Sequence, residues 1–260
     1  SHDGEKIPIS VIKRKDTPEN APTLLYGYGS YGISISPSFS VSRLSLIDRG
    51  MVYAIAHIRG GMEKGKKWYE NGKKKNKLNS FRDFIACAEF LKKENISKNI
   101  TIHGGSAGGL LIGASLNISP DTFHCAVAEV PFVDVLNTIL DDTLPLTPPE
   151  WEEWGNPIKN KSDFDYIGSY SPYDNIKEQN YPTILATSGL TDPRVTYWEA
   201  TKWIAKLRSK KTNDNPLFLK TYTEAGHGGM AGRYNQIKET AFIYAFILWR
   251  NNLIKRPFTR

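Results

Sequence analysis

The feature that most constrains this chain is a serine within a Gly-x-Ser-x-Gly pentapeptide, between an apolar run and a run of small residues. The segment reads His103-Gly104-Gly105-Ser106-Ala107-Gly108-Gly109-Leu110. Residues 100–103 are predicted as a buried strand and residues 107–116 as a helix, so Ser106 falls on a sharp strand-to-helix turn. Glycines give such a turn the space that it needs. The context favours a nucleophile elbow over an inert serine in a glycine-rich turn.

Nucleophilic attack by Ser106 requires a histidine base and an acid that orients the histidine, because a serine hydroxyl is a weak nucleophile near neutral pH. The preferred base is His227, in a glycine-flanked loop between a predicted strand and a long predicted helix. The other histidines are interpreted as packed at strands or, at the amino terminus, as solvated: His57, His103, His124 and His2.

Asp192 is the preferred acid, since it lies in the loop that leaves the carboxyl end of a predicted buried strand, residues 183–188. Asp134 is the alternative, although an aspartate just after a strand is more often a helix cap. With Asp192, the order along the chain is Ser106, Asp192, His227. This is the order of α/β-hydrolases, and it differs from the orders in trypsin-like and subtilisin-like proteases.

Apolar periodicity predicts strands that alternate with helices along the rest of the chain. The predicted strands are residues 7–12, 23–26, 51–58, 100–103, 124–130, 183–188 and 217–222. The predicted helices are residues 42–48, a helix capped by Ser80, and residues 107–116, 196–208 and 233–250, with a proline-rich insertion over 131–180. The pattern indicates an α/β-hydrolase fold, with a mostly parallel, doubly wound sheet and helices on both faces. Residues 1–260 are assigned to this single domain.

Composition agrees with a globular protein that has one sizeable core, at 40% hydrophobic and 12% aromatic residues. The net charge of +7 would suit an anionic partner. However, the densest basic run, residues 73–77, has no regular basic face and no interleaved aromatic residues. It is interpreted as solvated surface, and nucleic-acid binding stays a minor alternative.

The two cysteines, Cys87 and Cys125, are interpreted as buried thiols and not as a disulfide framework. This interpretation favours a cytoplasmic location. The sequence has no run of eighteen apolar residues and no apolar signal segment near its start, so neither a membrane span nor export is predicted.

The oxyanion formed by attack of Ser106 needs hydrogen-bond donors. In an elbow, the backbone N–H of the residue after the nucleophile points to that position, which nominates Ala107. The second donor is less obvious, because the early loop, residues 25–32, lacks the His-Gly-Gly-Gly pattern that is common in lipases and esterases. A tyrosine hydroxyl of this loop is a candidate replacement.

Five motifs occur in order along the chain: Tyr26-Gly27-Tyr28-Gly29, Arg59-Gly60-Gly61, Gly104-Gly105-Ser106-Ala107-Gly108-Gly109, Asp192-Pro193-Arg194-Val195 and Gly226-His227-Gly228. Together they resemble the catalytic domain of the prolyl oligopeptidase family of serine peptidases, over essentially the whole chain. Three further features are most similar to the oligopeptidase B, or protease II, branch: Ala107, residues 150–157 (sequence EWEEWGNP) and residues 197–199 (sequence YWE).

The resemblance implies an acyl-enzyme serine peptidase that needs no metal or organic cofactor. It implies that the Tyr28 hydroxyl is the second oxyanion donor and that Arg194 helps to anchor the peptide. It also implies small peptide substrates with arginine or lysine at P1, the residue before the scissile bond. Glu150 and Glu152 would then hold the P1 cation, because a carboxylate forms charge-assisted hydrogen bonds with a guanidinium. Glu153 is expected to point elsewhere, and an acidic solvated loop is the alternative.

Members of the family carry a β-propeller ahead of the hydrolase domain, which restricts access to small peptides, and no propeller pattern occurs in this sequence. The expectation is a catalytic domain with exposed apolar surface where a separate or missing propeller would rest. Three alternatives stay open: a prolyl-specific peptidase, a carboxylesterase with the same triad, and a catalytically silent domain that binds a propeller.

Overall fold

A computed structural model describes residues 1–254. The strands are β1 (Ile9–Ile12), β2 (Thr23–Tyr26), β3 (Val52–Ala56), β4 (Ile100–Gly105), β5 (Cys125–Glu129), β6 (Thr183–Gly189) and β7 (Leu217–Tyr222). The helices are α1 (Val41–Ile47), α2 (Lys66–Glu70), α3 (Leu78–Lys93), α4 (Ala107–Ile118), α5 (Val135–Leu140), α6 (Thr147–Trp154), α7 (Lys161–Tyr170), α8 (Tyr197–Lys210) and α9 (Arg233–Arg250). Residues 255–260 of the predicted domain lie outside the described range.

The strands form one sheet in the order β1-β3-β2-β4-β5-β6-β7. The edge strand β1 is antiparallel to β3, and the other neighbouring pairs are parallel. Strands β1 to β3 form one side of the sheet. Strand β4 then pairs with β2, and β5, β6 and β7 follow in order on the other side of β4. Ligand sites in such sheets form where the strand order reverses, at the carboxyl ends of the strands. The predicted α/β-hydrolase fold is confirmed, and its reversal point is the end of β4, just before Ser106.

Both faces of the sheet are buried beneath helices. Side chains alternate along each strand, so Leu25 of β2 packs into one core cluster and Leu24 into the other. The larger cluster holds apolar residues of α3, α4 and α8, such as Phe84. The smaller cluster holds residues of α1 and α9, such as Leu46 and Phe246. Because helices cover both faces of the sheet, a functional site is expected at the strand ends and in the loops that follow them.

The predicted N-cap at Ser80 is wrong. Helix α3 begins at Leu78, directly after a short 3₁₀ turn at Lys74–Asn76, and Lys77 occupies the cap position. Ser80 is buried inside the first turn, where its Oγ donates to the Arg59 carbonyl at 2.6 Å. The hydroxyl thus ties α3 to the loop after β3 instead of capping the helix.

The insertion between β5 and β6 folds into α5, α6 and α7, and the lysine run packs against it. Lys74 pairs with Glu152 of α6 at 3.2 Å, and Lys75 pairs with Asp163 of α7 at 2.9 Å. Lys77 is 1% exposed. The interpretation of this run as solvated surface is therefore wrong for Lys77, whereas Lys74 and Lys75 are 41% and 47% exposed and form surface ion pairs with the insertion.

Cys87 and Cys125 are both buried and free. Burial raises the pKa of each thiol to about 12, so both stay protonated near neutral pH. Within residues 1–254, no helix has the length and apolar character needed to cross a membrane.

Candidate active site

Ser106 occupies a strained turn between β4 and α4. Its backbone has φ 56° and ψ −120°, a conformation that non-glycine residues rarely adopt. The Ser106 N–H donates to the Glu129 carbonyl at 2.9 Å, which holds the turn against β5. A Cβ atom at Gly104 would lie 2.5 Å from the Gly108 carbonyl oxygen, so this position requires glycine. The local geometry is that of a nucleophile elbow.

His227 lies between Ser106 and Asp192 and hydrogen-bonds to both. Its Nε2 is 3.1 Å from Ser106 Oγ, and its Nδ1 is 2.8 Å from Asp192 Oδ2. The other carboxylate oxygen of Asp192 accepts the backbone N–H groups of Arg194 and Val195, at 2.8 and 3.0 Å. The structure therefore brings the three predicted residues into one hydrogen-bonded chain.

Asp192 is held as a carboxylate in a buried position. Its side chain is 0% exposed, and this burial opposes ionisation. The hydrogen bonds from His227 and from two backbone N–H groups outweigh burial, so the pKa of Asp192 lies below its ordinary value. The ionised carboxylate can keep the proton of His227 on Nδ1, which leaves Nε2 free to accept a proton from Ser106.

The acid and the histidine belong to the loops after β6 and β7, which are neighbouring parallel strands. Thr191 joins these loops, because its N–H and its Oγ1 both donate to the Ala225 carbonyl, at 3.2 and 2.9 Å. Sequence reasoning missed this tie. In the sequence, this contact between the loops was indicated solely by the position of Thr191, directly before Asp192.

The alternative residues have other partners. Asp134 pairs with Lys202 at 2.5 Å, and not with His227. His103 Nε2 lies 2.5 Å from Glu129 Oε1, and His57 Nε2 lies 2.7 Å from Ser10 Oγ. Among residues 1–254, no three His, Cys, Asp or Glu side chains converge as a group that could hold a metal ion.

The two predicted oxyanion donors, Ala107 and Tyr28, line the same pocket as Ser106. Ala107 is the first residue of α4, so its N–H has no acceptor within the helix. Tyr28 lines the same pocket as Ser106 and Ala107. Burial raises the pKa of Tyr28 to about 12, so its hydroxyl keeps its proton near neutral pH.

Two buried charged residues hold the loop that carries Tyr28 by hydrogen bonds to its backbone and to a serine side chain. Lys77 Nζ donates to the Gly29 carbonyl at 2.6 Å and to Ser30 Oγ at 2.8 Å. Glu153 Oε1 accepts the Tyr31 N–H at 2.9 Å. Sequence reasoning assigned neither residue to the site, because their long-range partners leave no trace in local spacing.

A pocket of about 450 Å³ opens beside Ser106. Much of its wall is apolar, and includes Phe132, Ile139, Leu146 and Val195. Glu150 and Arg194 also line it. Glu150 Oε2 accepts the Tyr31 hydroxyl at 2.8 Å and the Trp154 indole N–H at 2.6 Å. Both donors use the same oxygen, which leaves Oε1 for another partner.

The three glutamates of α6 have different surroundings. Glu152 is not among the residues that line the pocket, and its side chain is 87% exposed and pairs with Lys74. Glu153 is 3% exposed and accepts the Tyr69 hydroxyl at 2.6 Å. The structure thus brings Glu150 to the pocket but does not bring Glu152 there.

A further carboxylate of the pocket, Glu199, was absent from the predicted site. It lies in the first turn of α8 and is 0% exposed, yet it belongs to the lining. Its position within the Tyr197-Trp198-Glu199 motif was the available signal, but the motif gave no direction for the side chain.

The sheet order, the elbow and the Ser106–His227–Asp192 chain define the class of protein. It has the α/β-hydrolase fold, with a serine at the position of the nucleophile. A family model described as the prolyl oligopeptidase family matches residues 37–252. The chain belongs to the prolyl oligopeptidase family.

Similar proteins include dipeptidyl aminopeptidase BI of Pseudoxanthomonas mexicana, 48% identical over 95% of this chain, and protease 2 of Moraxella lacunata, 48% identical over 94%. The structure of oligopeptidase B from Leishmania major has a TM-score of 0.95 and 49% identity over 99% of this chain. That of oligopeptidase B from Trypanosoma brucei, with covalently bound antipain in a closed form, has a TM-score of 0.95 and 50% identity over 98%. The predicted resemblance is confirmed. This chain spans 35–36% of the length of these relatives and structures.

Proposed function

We propose that this chain hydrolyses peptide bonds through an acyl-enzyme on Ser106, with a preference for arginine or lysine at P1. The observation that carries the proposal is the hydrogen-bonded chain Asp192–His227–Ser106 at a strained elbow, next to a pocket that contains a carboxylate. The family assignment supports the same chemistry.

In this mechanism, His227 Nε2 takes the proton of Ser106 as Oγ attacks the peptide carbonyl. The Ala107 N–H and the Tyr28 hydroxyl donate to the oxyanion, where charge develops in the transition state. Protonated His227, stabilised by Asp192, then gives its proton to the leaving amine. Water, activated by the same imidazole, attacks the acyl-enzyme and releases the acid product. The proposal needs no metal or organic cofactor.

Glu150 is proposed to bind the P1 cation. Its hydrogen bonds to Tyr31 and Trp154 hold the carboxylate in place, and the apolar wall of the pocket would cover the aliphatic stem of arginine or lysine. Arg194 is proposed to anchor the peptide through its exposed guanidinium. Glu152 was predicted to share the P1 role, but it has no supporting contact with the pocket.

Small peptides as substrates and a β-propeller, attached or separate, as a partner belong to this proposal. The relatives are almost three times as long as this chain. Exposed apolar residues just before α1 and in the first turn of α9 would suit a covering domain, since Phe39 is 80% and Tyr234 is 77% exposed. A cytoplasmic location stays a prediction that rests on the two free thiols.

The test compares matched peptides with P1 arginine and P1 proline, cleaved by the chain and by Ser106→Ala. We expect cleavage after arginine that is lost in Ser106→Ala, together with labelling of Ser106 by an active-site phosphonate in the unaltered chain. Faster cleavage after proline would indicate the prolyl-specific alternative. Preference for a short neutral acyl ester over the arginyl peptide would indicate a carboxylesterase. Absence of labelling, with tight binding of a propeller, would indicate a silent domain.

A further inference from the structure

Glu199 is a buried carboxylate that the proposed reaction leaves without a role. Its Oε2 accepts the backbone N–H groups of Val133 and Asp134, both at 2.9 Å. Its Oε1 accepts the Thr138 hydroxyl at 2.8 Å. Thr138 also lines the pocket and is partly exposed, so Glu199 lies just behind a residue that a ligand can touch.

Two oppositely charged residues next to the pocket wall, Asp134 and Lys202, interact electrostatically with Glu199. Asp134 is its nearest acidic neighbour, but Asp134 pairs with Lys202 at 2.5 Å. The remaining charged or titratable residues of the pocket are Tyr28, Tyr31, Glu150, Arg194 and His227. A negative charge within a poorly solvated wall acts on the pocket more strongly than an exposed charge does, because less water screens it.

We propose that Glu199, and not Glu152, is the second carboxylate that sets the charge of this pocket and favours a cationic P1 side chain. The inference rests on the proposed function. Because Glu199 is inaccessible to water, it acts through its charge and through the position of Thr138, whereas Glu150 contacts the cation directly. Glu152 does not serve this role, because its side chain is exposed to solvent and pairs with Lys74.

The charge of Glu199 depends on pH. Burial raises the pKa of Glu199 to about 7, although the hydrogen bonds from Asp134, Thr138 and Val133 oppose that shift. The carboxyl group is neutral below this pKa and negative above it. Selectivity for a cation should therefore increase as pH rises between about 6 and 8. An effect of pH that both substrates share cancels in the ratio of their kcat/KM values.

The experiment measures kcat/KM for two peptides that differ only at P1, one with arginine and one with citrulline, its neutral analogue of nearly equal shape. The ratio is followed from pH 5.5 to pH 8.5 in the unaltered chain and in Glu199→Gln. The amide keeps the shape of the side chain: its oxygen can accept the two backbone N–H groups and its nitrogen can donate to Thr138 Oγ1. Glu152→Gln is the matched control.

We expect Glu199→Gln to lower the arginine-to-citrulline ratio about tenfold at pH 8 and to remove its rise with pH, with Glu152→Gln close to the unaltered chain. Equal losses for both peptides would overturn the inference, since they indicate a structural role alone. An unchanged ratio in Glu199→Gln would also overturn it. If the unaltered chain does not prefer arginine over citrulline, then the proposed P1 specificity itself fails, and this outcome is distinguishable from the other two.

Discussion

The Tyr28 hydroxyl lies in the pocket beside Ser106 and, among the described residues, has no hydrogen-bond acceptor. The hydroxyl of Tyr31, on the same loop, already donates to Glu150 at 2.8 Å. The Tyr28 side chain is partly exposed to the pocket, so its hydroxyl can donate to a group that a substrate brings there. Tyr28 therefore fits a donor that is used in the transition state.

Replacement of Tyr28 by Phe should lower kcat about 10- to 100-fold and leave KM nearly unchanged, because a donor used only in the transition state is lost. Steady-state kinetics with an arginyl peptide measure both constants. Tyr26→Phe is the control, since Tyr26 is also partly buried but lines a different groove. A Tyr28→Phe variant with normal kcat would remove this hydroxyl from the mechanism.

At the scale of elements, the junction of β4 and α4 depends on close contact between backbones. Gly104 has no room for a side chain, whereas a Cβ atom at its neighbour Gly105 would meet the Glu129 carbonyl oxygen at 3.5 Å, an ordinary contact. Position 104 thus requires glycine for steric reasons, whereas position 105 has room for a small side chain.

Gly104→Ala should destabilise the fold by about 2–3 kcal/mol and abolish phosphonate labelling of Ser106, because the added methyl group pushes α4 away from the strand. Gly105→Ala should retain labelling and most of the stability. Urea unfolding and mass spectrometry of the labelled protein measure the two effects. Equal behaviour of the two variants would contradict the steric explanation.

Most of the strand and helix pattern was predictable, because β2, β6, β7 and α9 have strong periodicity and clear boundaries. The three glutamates of α6 were harder to place. An extended segment puts residues 150 and 152 on one side, whereas a helix puts residues 150 and 153 close together and turns residue 152 away. Sequence alone left both conformations open. The helix then separates Glu152 from the pocket, and Glu150 and Glu153 contact the same tyrosine, Tyr31.

At the scale of the whole molecule, the amino-terminal segment is tied to the core by a buried ion pair. Arg59 bridges Asp83 of α3 and Asp3, and the Arg59 and Asp83 side chains are 5% and 0% exposed. The Arg59-Gly60-Gly61 motif was recognised in the sequence, but its partners lie far away along the chain. Long-range contacts of this kind are set by the packed fold and carry no local signature.

Arg59→Met should lower the free energy of unfolding by about 3–5 kcal/mol, because Asp83 is left buried without its counter-charge. Arg14→Met should change it by less than about 1 kcal/mol, since Arg14 pairs with Asp16 on the exposed surface. Chemical denaturation of the two variants measures the difference. Similar losses for both would show that the Arg59 pair is not a buried anchor.

The loop that orients the imidazole and the wall behind the pocket belong to one continuous stretch of chain, from Thr191 through Asp192 to Glu199. Thr191 holds the histidine loop, and Glu199 holds the start of α5. Only a few peptide units separate the two ends of this stretch. We therefore expect a substitution that moves the pocket wall at Glu199 to shift the loop that carries Asp192, and with it the hydrogen bond that orients the His227 imidazole.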